Sequence, residues 1–266
     1  MIELFGSEQM FLSLSGGVLI SIVLGVVGTM VVHNKLAFFS DALGHCMFTG
    51  IALGHFLGLK NYYVSNLLFA ILFSIIISYL IEKSKSSADT VISVFSSAGL
   101  SLGIFILTLS NGISRYSDFL IGDILSINKF EIIGILILLL IVFLFWIFLF
   151  NKFLISSLNK DLAVSKLINY KFYRSAFMIL IAIVVSLAIK WVGILLINSL
   201  LTLPAAAAKN ISKSMKQYLV LSLLFSLISG SCGFIISYLV GSSCAPAIVL
   251  FATFIYLLSN FINHKS

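Results

Sequence analysis

Charge is what this sequence has least of. Asp, Glu, Lys and Arg make up 9% of the 266 residues against 61% hydrophobic, and mean hydropathy is +1.19. No soluble domain of this size has that balance. Only helices and closed barrels satisfy their backbone groups in lipid, and apolar runs of about 20 residues suit helices rather than ten-residue barrel strands. The fold class is therefore an all-α polytopic membrane protein. The net charge of +7 is spread over short loops, where positive charge sets topology, so no nucleic-acid partner is implied. Cysteine is scarce too: Cys46, Cys232 and Cys244 are odd in number and form no C-x-x-C pair, which excludes a disulfide framework. Met1–Met10 carries Glu3 and Glu8 and no basic residue, so the first apolar run is expected to be a retained span rather than a cleaved signal. The phosphate-cradling G-x-x-x-x-G-K-S/T element is missing, so the chain is not itself an ATPase, and catalytic and cofactor-binding residues are expected to be none. His-Glu-x-x-His is missing as well, and no second intramembrane carboxylate accompanies Asp41, which ranks an intramembrane hydrolase last.

What is present is a succession of apolar spans. They cover 11–32, 36–58, 62–82, 89–110, 130–151, 172–190, 191–208, 217–240 and 244–262, about nine in all within a range of eight to ten. The pair at 172–208 is nearly fused, with Lys190 as its only break. An outside N-terminus and a cytoplasmic C-terminus put twelve basic residues on the inner side and four on the outer, Lys60, Arg115, Lys129 and Lys190. The whole chain, 1–266, reads as one transmembrane domain with no clear internal repeat.

The second span carries the chemistry. Ionisable groups cost roughly 3 kcal/mol in hydrocarbon on insertion scales, so they rarely persist without a use. Asp41 and His45 stand at i, i+4, one turn apart, and His55 falls within about 80° of them on a helical wheel. N and O ligands of this kind suit a borderline divalent cation such as zinc. The bland alternative is an Asp41–His45 hydrogen bond that locks two helices, with His55 a packing or interfacial residue. The same span contains Gly50-x-x-x-Gly54-x-x-x-Gly58, a spacing that admits a close neighbouring helix.

Two connections are long. The outer one, 111–129, is half apolar and holds Asp118 and Asp123, read either as solvated loop carboxylates or as a cation-attracting entry and docking face. The inner one contains 159–169, an amphipathic stretch with Asn159 as cap, Asp161 in its first turn and Leu162, Leu167 and Ile168 as apolar residues. It suits a membrane-surface helix or one that inserts into a groove on a cytoplasmic partner. Pro204 is expected to kink or end its helix. His33 and His264 read as exposed boundary residues, and Asp89 as a cap or inner-surface residue.

Several elements, in order over most of the chain, resemble the permease subunits of metal-uptake ABC transporters, specifically the zinc-uptake type. They are Phe39-Ser-Asp-Ala-Leu-Gly-His45, Asp89-Thr90 with Ala98-Gly-Leu-Ser-Leu-Gly103, Leu120-Ile-Gly-Asp-Ile-Leu125, Lys160-Asp-Leu-Ala163, and Lys190-Trp-Val-Gly-Ile-Leu-Leu with Leu201-Thr-Leu-Pro-Ala-Ala-Ala-Ala208. The chain departs from the family pattern at Phe48-Thr49-Gly50, where a Pro-Gly or Leu-Gly is common, and at His55, where an apolar residue is expected.

The resemblance implies the metal-ABC importer permease fold in a bacterial cytoplasmic membrane, surrounded by membrane lipid. It implies a homodimer with a central path, a separate cytoplasmic ATP-binding subunit, and an extracytoplasmic metal-binding protein that delivers the ion. Asp41 and His45, with His55 as a third candidate, would form the transient metal path. Asp118 and Asp123 would face the delivery protein, and Asp161, Leu162 and Ala163 would couple to the ATPase. Zinc is then transported substrate, and no cofactor is tightly bound. Manganese and iron permeases are related alternatives. An ion-coupled secondary carrier, with Asp41–His45 as a proton relay, is the alternative from another class.

Overall fold

The structure, a computed structural model, describes residues 8–59, 61–109, 122, 124, 127–158 and 165–263. Among them are eight α-helices: α1 Glu8–His33, α2 Ala37–Phe56, α3 Tyr62–Lys83, α4 Ala88–Leu109, α5 Lys129–Leu158, α6 Tyr170–Ile211, α7 Met215–Val240 and α8 Cys244–Asn263. Seven of them are long and apolar enough to cross a membrane. The exception is α2, which is diluted by Asp41, His45, His55 and its glycines.

The nine expected spans are not reproduced as nine helices. The difference lies at 172–208, where α6 runs 42 residues with one non-helical residue, Gly193 (φ 77°, ψ 162°). At 1.5 Å per residue α6 amounts to about 63 Å of helix, twice a bilayer's hydrocarbon core. The sequence puts its charge at Lys190, but the backbone breaks at Gly193, because a positive φ with extended ψ is open to glycine and strained elsewhere. Pro204 neither ends nor breaks the helix, which continues to Ile211.

Chain contacts gather into two compact units. One comprises Met1–Ala37, Ser117–Leu139 and Ala188–Ser266, the other Phe38–Tyr116 and Leu140–Leu187.

In the first unit α1 and α7 lie antiparallel along a ladder of hydroxyls. Tyr218 donates to the Thr29 carbonyl (3.0 Å), Ser222 to Gly25 (2.8 Å) and Ser226 to Ser21 (2.7 Å). Both helices step by four residues, so each rung falls on the same face one turn on. Ser21 and Thr29 donate their own hydroxyls to Gly17 and Val26 within α1. Further along, α7 packs on α8, where a Cβ at Gly233 would lie 2.5 Å from the Ile248 Cα. At Gly28 a Cβ would collide with the Leu201 carbonyl of α6.

Ion pairs collect at the end of this unit where α1 begins. Glu8 pairs with Lys129, and Glu131 with Lys190. Asn128 and Glu131 form a capping box on α5, each side chain accepting from the other's backbone N–H at 3.0 Å.

In the second unit α3 and the 170–187 stretch of α6 run antiparallel. Ser74 donates to the Met178 carbonyl (3.2 Å), Ser78 and Ser175 share a hydrogen bond, and Glu82 pairs with Lys171 (3.0 Å). Phe153 and Phe145 pack on Phe177. Burial sorts the helices: 72% of the apolar window of α6 is buried, against 22% in each of α4, α5 and α8, which turn apolar side chains outward as lipid-facing helices do.

Candidate functional site

Helix α2 is pinned on two sides by glycines. A Cβ at Gly50 would lie 2.8 Å from Asn66 Oδ1, and one at Gly54 2.9 Å from Ser65 Cβ, so α3 approaches where the small-residue spacing predicts. Ser65 donates to the Gly50 carbonyl (2.7 Å). Gly58 lies past the helix end, where an added Cβ would meet no described residue within 4 Å. On the other side the glycines belong to α4. A Cβ at Gly99 would lie 2.6 Å from Cys46 Sγ, and one at Gly103 2.7 Å from the Thr49 nitrogen. Thr49 donates its hydroxyl to the Gly99 carbonyl. This second clamp was missed as packing. Its signal, Gly99-x-x-x-Gly103, is in the sequence but was read only as part of the family resemblance.

The third side of α2 carries Asp41 and His45. Their side chains are 47% and 44% exposed, while most of the helix is buried. Phe38, one turn earlier, extends the same stripe and is 42% exposed. Asp41 Oδ2 and His45 Nε2 are 3.7 Å apart, beyond hydrogen-bond range. The pair thus presents one carboxylate and one imidazole, side by side, on a rigid helix. Among the described residues no group of three or more His, Cys, Asp or Glu converges. Zinc in a closed structural site takes four ligands, whereas a transport site must let go.

His55 does not join them. Ten residues beyond His45, it stands about 15 Å further along the axis. Its ring stacks on Tyr62, with centroids 5.9 Å apart, and its Nδ1 is buried with no hydrogen-bond partner among the described residues. Asn66, fully buried against Gly50, likewise has an amide without a hydrogen-bond partner among the described residues. It was missed by sequence reasoning, because one Asn in an apolar run has no periodicity to betray it. It lies on the side of α2 opposite Asp41, so it does not extend the pair.

Asp118 and Asp123 lie outside the described residues, as do Asp161, Leu162 and Ala163. The expected helix at 159–169 is described only from Ser165 onward. There Leu167 has left-handed backbone (φ 55°) and is exposed, and Asn169 caps α6 by accepting from Phe172 N at 3.3 Å. The helical conformation therefore does not reach 169. Asp89 is exposed in the first turn of α4, where a carboxylate complements the helix dipole.

The sequence profile of the ABC 3 transport family matches residues 7–263. The chain belongs to this family. Among its relatives, the high-affinity zinc uptake system membrane protein ZnuB of Buchnera aphidicola subsp. Acyrthosiphon pisum is 32% identical over 97% of this chain and 98% of that protein. The manganese import system permease protein ScaB of Streptococcus gordonii is 31% identical over 93% of this chain and 89% of that protein. The solved structure of PsaBC from Streptococcus pneumoniae in complex with Fab superposes with a TM-score of 0.85 at 28% identity, covering 98% of this chain and 96% of that one. As a family member the chain is a multi-pass ABC permease. Membership answers the secondary-carrier alternative, since ABC transporters draw on ATP rather than an ion gradient.

Proposed function

We propose that this ABC permease imports zinc across the bacterial cytoplasmic membrane, with Asp41 and His45 as a transient ligand pair. The observation that carries the reading is the half-exposed Asp41–His45 stripe on a helix otherwise clamped by glycines. Two protomers that face each other through this stripe would double the ligand set to two carboxylates and two imidazoles. Zinc is favoured over manganese by relatives named for zinc uptake at up to 33% identity over most of the chain. The N/O donor pair itself accommodates either ion.

The remaining parts follow from the same reading. The chain, 1–266, acts as one transmembrane domain, and α6 supplies two crossings divided at Gly193, which restores nine. The N-terminus lies outside and the C-terminus inside, in keeping with Lys129 and Lys190 at one end of the first unit and Lys209, Lys213 and Lys216 at the other. A separate cytoplasmic subunit hydrolyses ATP and is engaged through Asp161, Leu162 and Ala163. A metal-binding protein docks outside near Asp118 and Asp123. Zinc is cargo, and no resident cofactor is needed.

Radiolabelled zinc uptake in cells that also carry the candidate ATPase and binding protein tests this, with manganese as competitor. Zinc uptake that manganese does not suppress, and that falls as acid protonates the imidazole, is the expected result, because only neutral histidine is a ligand. Uptake of manganese alone would keep the permease and overturn the substrate.

A further inference from the structure

An apolar groove runs between α7 and α8 in the first unit. Phe251, Phe254, Leu258 and Ile262 of α8 form one wall, at helical spacing, and Phe225 and Ile228 of α7 form the other. Ile211, the last residue of α6, closes one end. The groove has a volume of about 340 Å³ and is open along its length. Phe254, Leu258 and Ile262 are each about half exposed. Asn210 donates to Ser259 (3.0 Å), which ties the end of α6 to α8 at the groove floor.

Length and charge say what fits. From Phe251 to Ile262 is about 16 Å along α8. One leaflet of a bilayer holds about 15 Å of hydrocarbon. The closed end, at Ile211, is where the lysines are: Lys209 and Lys213 flank Ile211 by two residues on either side, and Lys216 follows in the first turn of α7. All three are exposed. None of the three has an ion-pair partner among the described residues. From 162 to 266 the sequence contains no Asp or Glu at all. A groove as deep as one leaflet, ending at three uncompensated ammonium groups, matches a molecule with a hydrocarbon tail and an anionic head.

We propose that this groove is a binding site for one anionic phospholipid, its acyl chain between α7 and α8 and its phosphate on Lys209, Lys213 and Lys216. The tail gains little by leaving bulk lipid, which is equally apolar, so selectivity comes from the head. Juxtamembrane lysines favour anionic headgroups by about fivefold each. This site is independent of the metal reading, since it shares no residue with α2.

The test uses the full-length chain extracted with any subunits it retains into nanodiscs of equal phosphatidylglycerol and phosphatidylethanolamine. Lipids kept after transfer to detergent are counted by native mass spectrometry. Wild type is expected to retain phosphatidylglycerol at least about fivefold over phosphatidylethanolamine, the effect of one engaged lysine, and more as the others engage. K209Q/K213Q/K216Q should lose that preference while the charge-keeping K209R/K213R/K216R retains it. Leu258→Trp, which fills the groove, should lower retention of both lipids. Equal retention by wild type, or a preference unchanged in the glutamine triple variant, would overturn the proposal. So would disulfide cross-linking of Phe254→Cys between two copies, which would give the groove to a second chain instead. Metal uptake serves as a control for folding.

Discussion

The α1–α7 interface and the exposed side of α2 both place polar side chains in apolar helices, and they treat them in opposite ways. Along α1–α7 each hydroxyl of the ladder is buried and donates to a carbonyl at 2.7 to 3.0 Å. Along α2, Asp41 and His45 are nearly half exposed and stand 3.7 Å from each other. Hydrogen bonds made in full hold helices together and leave nothing to offer a ligand. A pair left nearly half exposed, on a helix fixed from behind, keeps an accessible coordinating face. The contrast separates polar residues that build the fold from those available for chemistry.

The comparison can be broken most sharply by Asp41→Ala and His45→Ala. Each is expected to reduce metal uptake by at least the 10- to 100-fold that loss of an outer-shell contact costs a metal site. Membrane abundance and melting temperature should stay near wild type. If uptake survives both, the α2 pair belongs with the structural class and the contrast collapses. Gly28→Ala is the converse. Its new methyl collides with the Leu201 backbone, so stability should fall by about 1–3 kcal/mol or more, seen as a lower Tm in detergent. Gly103→Ala sharpens the contrast from behind. Its Cβ would lie 2.7 Å from the Thr49 nitrogen, so α2 must shift by some tenths of an ångström. Uptake should drop several-fold with only a modest loss of stability, and an unchanged rate would show that the α4 clamp does not position Asp41 and His45. The smallest effect belongs to single rungs. Ser222→Ala or Ser226→Ala should cost about 0.6 kcal/mol, the mean for interhelical hydrogen bonds in membranes, with uptake unaltered.

Much of the architecture was legible in the sequence, because apolar runs of bilayer length leave few options. Seven helices end within a few residues of the expected spans, the exception in extent being α5, which continues to Leu158. The break in α6 was placed at the charge rather than at Gly193, since Lys190 announces water while only φ announces the bend. Pro204 reads as a kink or a stop, yet its helix runs on to Ile211 and the non-helical residue is Gly193. Asp41 and His45 were found from chemistry and spacing together. His55 was grouped with them because a helical wheel discards height, and ten residues of height separate it from His45. The ladder was illegible for another reason. Its rungs join residues about 200 apart, and neither Ser222 nor Ser226 stands out in a serine-rich helix until α1 is beside it.

That ladder is encoded from one side only. Every donor is an α7 side chain, and every acceptor is an α1 main-chain carbonyl, present whatever residue stands there. Helix α1 must therefore remain narrow, but nothing obliges it to remain polar. Under drift the two partners carry different inheritances. Position 21 should accept exchange among small residues, position 25 stays glycine because an added Cβ would lie 2.8 Å from the Ser226 Cβ, and 222 should accept exchange between Ser and Thr, so a search for paired changes across this interface would find almost none although the two helices are in intimate contact.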